Sequence, residues 1–301
     1  MSNLKSFIKR LLPNWSKKVI AKSLKTFYNP PNSVKSLIAF SGSFKVNVEG
    51  KYFYLYYKNR WIERDLFWKG ITGYERESVN IWIKALKEAK TVVDIGANIG
   101  LFSLLVKTLN PGAEVYAFEP LPVFKADLIS NCALNKFNVN VEGYALSNFV
   151  GKAKFYFPKE YAGNPYASSL SKEHYFNHQS TEPVEIDVEV TSFDAISNRI
   201  SFKSVDLVKI DAEGHDFEVL EGMIDTIMTY QPDFLIEILS DEIGEKIMKI
   251  LMPSTYLYFN INEGKGIRQV TRLTHSDSLN FFICKHDTAK RLNLQSDPNK
   301  I

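Results

Sequence analysis

Asp94-Ile-Gly96-Ala97-Asn98-Ile-Gly100 sets a carboxylate two residues ahead of a glycine-rich turn whose backbone amides can face an anionic group. A dinucleotide-binding turn of the form G-x-G-x-x-G needs a second glycine so that pyrophosphate can approach the backbone, and a third for packing of the following helix. With Gly96 as the first glycine, those two positions hold Asn98 and Leu101. The phosphate reading loses both supports. A turn with exposed amides behind an acid suits a zwitterion instead, with amides toward its carboxylate and Asp94 toward its amine. The methionine end of S-adenosylmethionine is such a group. Glu119 ends the next strand-like run, where an acid accepts hydrogen bonds from both ribose hydroxyls and repels a 2′-phosphate.

A second charged stretch, Lys209-Ile-Asp211-Ala-Glu213-Gly-His215, follows a later apolar run. Side chains alternate along an extended chain, so Lys209, Asp211 and Glu213 share one face while strand geometry lasts. Methyl transfer from a sulfonium is an in-line displacement, helped when the acceptor hydroxyl loses its proton as the bond forms. Asp211 and His215 are the candidate bases, Glu213 a candidate for positioning the acceptor, and Lys209 the countercharge. The competing reading is an ion pair that fixes a strand-to-helix turn, with His215 a surface residue. Glu237, ending another run, would complete an all-oxygen set with Asp211 and Glu213 for a hard divalent cation, although nothing in the spacing compels a metal.

The elements that must position these residues alternate. Strand-like runs at 91–95, 114–118, 138–145, 205–210 and 234–238 are separated by helical patterns from about 99, at 123–135, from about 217 and at 241–251. Such alternation predicts an open, doubly wound, mainly parallel α/β sheet with helices on both faces. Runs at 256–261, 267–273 and 279–285, joined only by turns, place an antiparallel edge at the C-terminal end. Between 151 and 190 the chain leaves the alternation for a hairpin-like insert, 152–157 and 184–190, whose turn-rich loop spans 163–170. Its aromatics, Tyr156, Phe157, Tyr161, Tyr166, Tyr175 and Phe176, either stack on a sugar ring or pack. Upstream, 43–48 and 52–57 read as a hairpin, and 74–86 as a helix. The predicted domains are an arm and hairpin (1–73), a main domain (74–286) and a tail (287–301).

Residues 1–48 carry nine Lys or Arg and no acid, while the remainder carries 28 basic and 34 acidic residues. Leu4, Phe7, Ile8, Leu11, Leu12 and Trp15 recur at helical spacing among lysines, broken once by Pro13. This basic amphipathic arm is read either as peripheral membrane contact through residues 1–27 or as a helix docked on the body. An acidic body without base-reading elements argues against nucleic acid. Two distant cysteines, Cys132 and Cys284, give neither a disulfide framework nor metal-ligand spacing, and no apolar run is long enough to span a bilayer. A cytoplasmic location, with contact at the inner face of a membrane through the arm, is the expectation.

Across 74–285 the sequence resembles the FkbM-type S-adenosylmethionine-dependent methyltransferases. The resemblance rests on Val93-Asp-Ile-Gly-Ala-Asn-Ile-Gly100, Ala117-Phe-Glu-Pro120, Asn131 with Leu134-Asn135, Ala145-Leu146-Ser147, Ala167-Ser-Ser-Leu170, Thr191-Ser-Phe-Asp194 and Lys209 through Gly222. Ala212 and Phe193 depart conservatively from the usual Val and Leu. The resemblance implies a seven-stranded, Rossmann-like class I methyltransferase sheet. It also implies S-adenosylmethionine held by Asp94, Gly96, Ala97, Asn98, Gly100, Glu119, Ala145 and Leu146. It further implies O-methylation of a sugar, glycan or secondary-metabolite hydroxyl, while a membrane-bound basic arm would suit a lipid-linked glycan acceptor. Two alternatives remain: an NAD-dependent sugar-modifying enzyme, disfavoured by Asn98 and Leu101, and a non-catalytic membrane-associated module, against which Asp94, Glu119 and Asp211 count.

Overall fold

The computed structural model describes residues 12–28, 30–158, 169–178, 181–252, 255–276 and 278–294. The chain forms two compact units, residues 1–76 and 77–301. In the first, α1 (Asn14–Phe27) and α2 (Asn32–Leu37) precede a hairpin of β1 (Gly42–Val48) and β2 (Lys51–Tyr57), and α3 (Trp61–Lys69) follows. Strict alternation in β2 buries Phe53, Leu55 and Tyr57 and exposes Tyr52, Tyr54 and Tyr56. Neither α2 nor α3 was expected. α3 opens with a capping box in which Glu63 Oε2 accepts the Arg60 backbone N–H at 3.1 Å. Its N-cap is arginine rather than a small polar residue, so the usual start signal is missing.

The second unit begins near α4 (Arg76–Ala85) and alternates as the sequence predicts. In order come β3 (Thr91–Ile95), α5 (Leu101–Leu109), β4 (Glu114–Phe118), α6 (Pro122–Asn135) and β5 (Asn140–Glu142). An excursion follows: β6 (Ala145–Leu146), β7 (Gly151–Phe157), α7 (Lys172–His178), β8 (Val184–Thr191) and α8 (Phe193–Ile200). The alternation resumes with β9 (Leu207–Ile210), α9 (Asp216–Glu221), α10 (Ile224–Tyr230), β10 (Asp233–Glu237) and α11 (Asp241–Leu251). β11 (Tyr256–Asn262), β12 (Gly266–Val270), β13 (Asn280–Lys285) and α12 (His286–Arg291) close the described chain.

The main sheet has the order β12-β11-β13-β10-β9-β3-β4-β5. Its five strands β10-β9-β3-β4-β5 pair in parallel, and β13, β11 and β12 add the expected antiparallel edge. The sheet has eight strands because the hairpin adds β12 outside the seven implied by the resemblance. All residues of β3 and β9 are buried, as befits strands covered on both faces. Strand order reverses between β3 and β9, which puts a ligand crevice beyond their carboxyl ends.

Two expected elements are divided. The run at 138–145 splits because the chain leaves the main sheet after Glu142 and pairs Ala145–Leu146 with β8, in a separate sheet of order β6-β8-β7. The helix from 217 breaks at Gly222, where a Cβ would stand 2.0 Å from the Ser147 carbonyl oxygen. α8, missed in the sequence, starts on Ser192, whose hydroxyl accepts the Ala195 N–H at 3.2 Å. Among the described residues no helix is long and apolar enough to cross a membrane.

Candidate active site

Parallel register sets Asp94 of β3 beside Lys209 of β9, and Ile95 beside Ile210. Both strands then turn at the switch point, and a cavity of about 640 Å³ opens over them. That volume includes open solvent, so the site is a cleft and not an enclosed chamber. Gly96 has φ +70°, and a Cβ on it would lie 1.8 Å from the Asp211 carbonyl oxygen. Its glycine is therefore required by the backbone of the neighbouring loop. Gly100 (φ +89°) caps α5, and its missing Cβ leaves room for Leu128. Both glycines serve protein packing, which explains why the spacing departs from a phosphate fingerprint.

Glu119 lines the cavity but is only 5% exposed. Its Oε2 accepts the Asn98 backbone N–H at 2.8 Å, and Oε1 accepts the Leu121 N–H at 2.9 Å. Burial outweighs these two bonds and raises its pKa to about 7, with Asp211 and Asp94 pushing the same way. Each oxygen keeps a lone pair for a further donor. Asn98, at φ +51°, takes the left-handed conformation that asparagine tolerates, aiming its amide at Glu119.

Asp94 is fully buried beneath the turn. Its Oδ2 accepts both the backbone N–H (3.0 Å) and the hydroxyl (2.6 Å) of Ser103, on the first turn of α5. Oδ1 has no hydrogen-bond partner among the described residues. Burial raises the pKa of Asp94, opposed by Lys209 and Ser103. Lys209 Nζ bonds Asp211 Oδ2 at 2.8 Å and lies 4.8 Å from the Phe102 ring centroid.

Of the sequence-predicted residues, Gly96, Asn98, Glu119, Ala145, Leu146, Asp211, Glu213 and His215 line this one cavity. Asp94, Ala97, Gly100 and Lys209 do not; they lie behind its wall and hold the turn and strand ends. The shared face expected for Lys209, Asp211 and Glu213 ends with β9 at Ile210, because Glu213 adopts φ +50°. His215 is not a surface residue. Its Nε2 lies 2.8 Å from Ser147 Oγ, its Nδ1 lies 3.5 Å from Glu218 Oε2, and burial lowers its pKa. Glu237 is not on the cavity wall. Among the described residues no cluster of three or more His, Cys, Asp or Glu could hold a metal ion.

Several residues escaped sequence reasoning. Asp216 accepts the Ala212 and Gly214 N–H groups (3.1 and 3.3 Å) and so shapes the loop; burial raises its pKa to about 6. Ser169 Oγ donates to the Glu213 carbonyl at 2.6 Å, and Ser147 meets His215, so both ends of the 147–169 excursion grip this loop. Phe155 and Leu170 from the insert line the cavity with Tyr144. Of the insert aromatics, Tyr175 and Phe157 are buried packing residues, while Tyr161 and Tyr166 lie outside the described residues.

The profile of the methyltransferase FkbM domain matches residues 94–259, which hold the turn, Glu119 and the 209–215 loop. The chain belongs to the FkbM methyltransferase family. Methyltransferase sdnD of Sordaria araneosa is 32% identical over 154 residues, 44% of this chain and 60% of that one. The 31-O-demethyl-FK506 methyltransferase FkbM of Streptomyces tacrolimicus is 26% identical over 160 residues, covering 46% of this chain and 62% of that one. Hexuronic acid methyltransferase AglP of Haloferax volcanii is 26% identical over 155 residues, covering 52% and 59%. The chain thus spans about three fifths of the length of these relatives. The solved methyltransferase FkbM of Methylobacillus flagellatus aligns with 87% of this chain and 57% of its own at 14% identity, with a TM-score of 0.41.

Proposed function

We propose that this methyltransferase methylates a hydroxyl of a sugar, a glycan or a secondary metabolite, with Asp211 taking the acceptor's proton. The observation that carries this reading is the Asp211 carboxylate on the cavity wall, fixed through Oδ2 by Lys209 at 2.8 Å. His215 is the weaker base, since Ser147 and Glu218 face its two ring nitrogens. Glu213 positions the acceptor from the same loop. The names of the FK506 and hexuronic acid methyltransferases point to hydroxyl-rich acceptors.

The cofactor supplies, when bound, an electrophilic methyl group on a sulfonium. Glu119 accepts from the ribose hydroxyls through the lone pairs its backbone partners leave. The turn of Gly96, Ala97, Asn98 and Gly100 lies against the methionyl end with Asp94 beneath it. Its N–H groups are not exposed as the spacing suggested, since they donate to the Phe118 and Ala97 carbonyls and to Glu119. Ala145 and Leu146, with Phe118 and Leu121, form an apolar wall suited to a purine. Phe155, Tyr144 and Leu170 face the acceptor and keep water out.

The experiment is isotope-labelled methyl transfer into hydroxyl-rich glycan and metabolite extracts, with products located by mass spectrometry. Label on oxygen supports the reading, and label on nitrogen or carbon refutes it. With the acceptor in hand, Asp211→Asn lowers turnover roughly 10²- to 10⁴-fold. His215→Gln, by contrast, stays within about tenfold. The reverse ranking transfers the base to His215.

A further inference from the structure

In the N-terminal unit, α1 leaves part of its apolar surface in solvent. Ala21 is buried and Ile20 and Leu24 are half-buried beside it. Lys18 Nζ lies 5.8 Å over the Phe40 ring and Lys25 Nζ 5.1 Å over Phe67. Phe40 and Phe67 pack edge-on at 5.1 Å and both contact Tyr57, so the lysines cover the aromatic core of the hairpin. Burial lowers the pKa of Lys25. Facing outward instead are Trp15 (71% exposed) and Val19 (55%), with Phe27 (90%) at the C-terminal end. Trp15 and Val19 are four residues apart and adjacent on one face, and Lys22 follows on the next turn. An indole and a valine left side by side in water on one helix face are unfavourable, because apolar surface gains by leaving water.

Charge narrows what can cover that face. Residues 1–76 contain 15 Lys or Arg and 4 Asp or Glu, whereas residues 77–301 contain 22 and 30. The helix itself has four lysines and no acid. We propose that the outward face of α1 docks on an anionic lipid bilayer, with Trp15 and Val19 entering the headgroup boundary and Lys22 meeting lipid phosphates. Indole is the side chain that favours this boundary, and lysine reaches from it to the phosphates. Positive charge concentrated in one unit supplies the attraction. Nucleic acid fits less well, since this face carries no arginine and presents Val19 beside the indole. The tyrosines Tyr52, Tyr54 and Tyr56 are on the opposite face of the hairpin from its buried aromatics and are not part of the surface.

Flotation of the full chain with phosphatidylcholine vesicles, with and without phosphatidylglycerol, tests this. The wild type should float only with the anionic vesicles. Trp15→Ser with Val19→Ser should lower partitioning at least about tenfold, since two exposed apolar side chains lose their burial. Tyr54→Ser should float as the wild type does. Unchanged thermal stabilisation by S-adenosylhomocysteine verifies that each variant is folded. Absence of flotation on anionic vesicles overturns the proposal, as does equal flotation of the double variant. A wild-type dimer that the double variant converts to monomer also overturns it, because a second copy then covers the face.

Discussion

Glu119 makes cofactor binding a titration. Its carboxyl is buried and its pKa is raised from 4.5 to about 7. Under the proposed ribose contact, only the ionised form offers both oxygens as acceptors to the two hydroxyls while keeping the Asn98 and Leu121 N–H groups. At pH 6 a group with that pKa is about nine-tenths protonated, and at pH 8 about one-tenth, so affinity for S-adenosylhomocysteine should rise roughly tenfold between them. Binding at pH 6 should release close to one proton, and at pH 8 almost none. Isothermal titration calorimetry in buffers of different ionisation heat reads both quantities. Glu119→Gln removes the titrating group and should flatten the profile, even though its amide must set a donor against one of the Asn98 or Leu121 N–H groups and so weakens binding overall. In the free protein the sign is the reverse. The folded pKa lies above the unfolded one, so the contribution of Glu119 to stability is full below about pH 4.5 and is lost as pH rises through 7, by roughly 3 kcal/mol. Equal wild-type affinity at pH 6 and 8, without buffer-dependent heat, refutes the assignment of Glu119 to the ribose.

Gly96→Ala puts a Cβ 1.8 Å from a backbone oxygen at φ +70°, and should cost more than about 3 kcal/mol by denaturant unfolding. Ser169→Ala removes the 2.6 Å bond to the Glu213 carbonyl. It should destabilise by about 1 to 2 kcal/mol and raise amide exchange across residues 211–216, with Ser169→Thr retaining protection. Asp216→Asn should stabilise the free protein at pH 8 relative to pH 4 when compared with wild type, because its folded pKa of about 6 lies above its ordinary value and that contribution is lost as pH rises.

What the sequence made legible follows physical period. The fully buried runs of β3 and β9 and the alternating β2 declare themselves locally, and so did the order of strands and helices. Glu119 and Asp211 were readable because they end such runs, where side chains meet a crevice. The holders were not: Ser103, Ser147, Ser169 and Asp216 act across 9, 68, 44 and 2 to 4 residues, and small polar residues at those distances carry no periodic signal. Helix α3 starts on an arginine, and α1 leaves Trp15 and Val19 exposed, so residue type alone misleads about helix starts and buried faces.

The same geometry settles which ligand the turn prefers on electrostatic grounds. Asp94, Glu119, Asp211 and Asp216 stand close enough to shift one another, since like charge contributes to the raised pKa of Asp94, Glu119 and Asp216, and Lys209 opposes it for Asp94 and Asp216. One ammonium among four carboxyls leaves the neighbourhood acidic. A diphosphate brought to this rim would add negative charge to groups already resisting ionisation. A sulfonium with an ammonium beside it does the opposite, and Asp94, fully buried behind the cavity wall with no hydrogen bond to its Oδ1 among the described residues, adds its field to that preference. The glycines that resemble a phosphate cradle make room for the Asp211 carbonyl and for Leu128. The turn is therefore shaped by the protein's own backbone and charged for a cation.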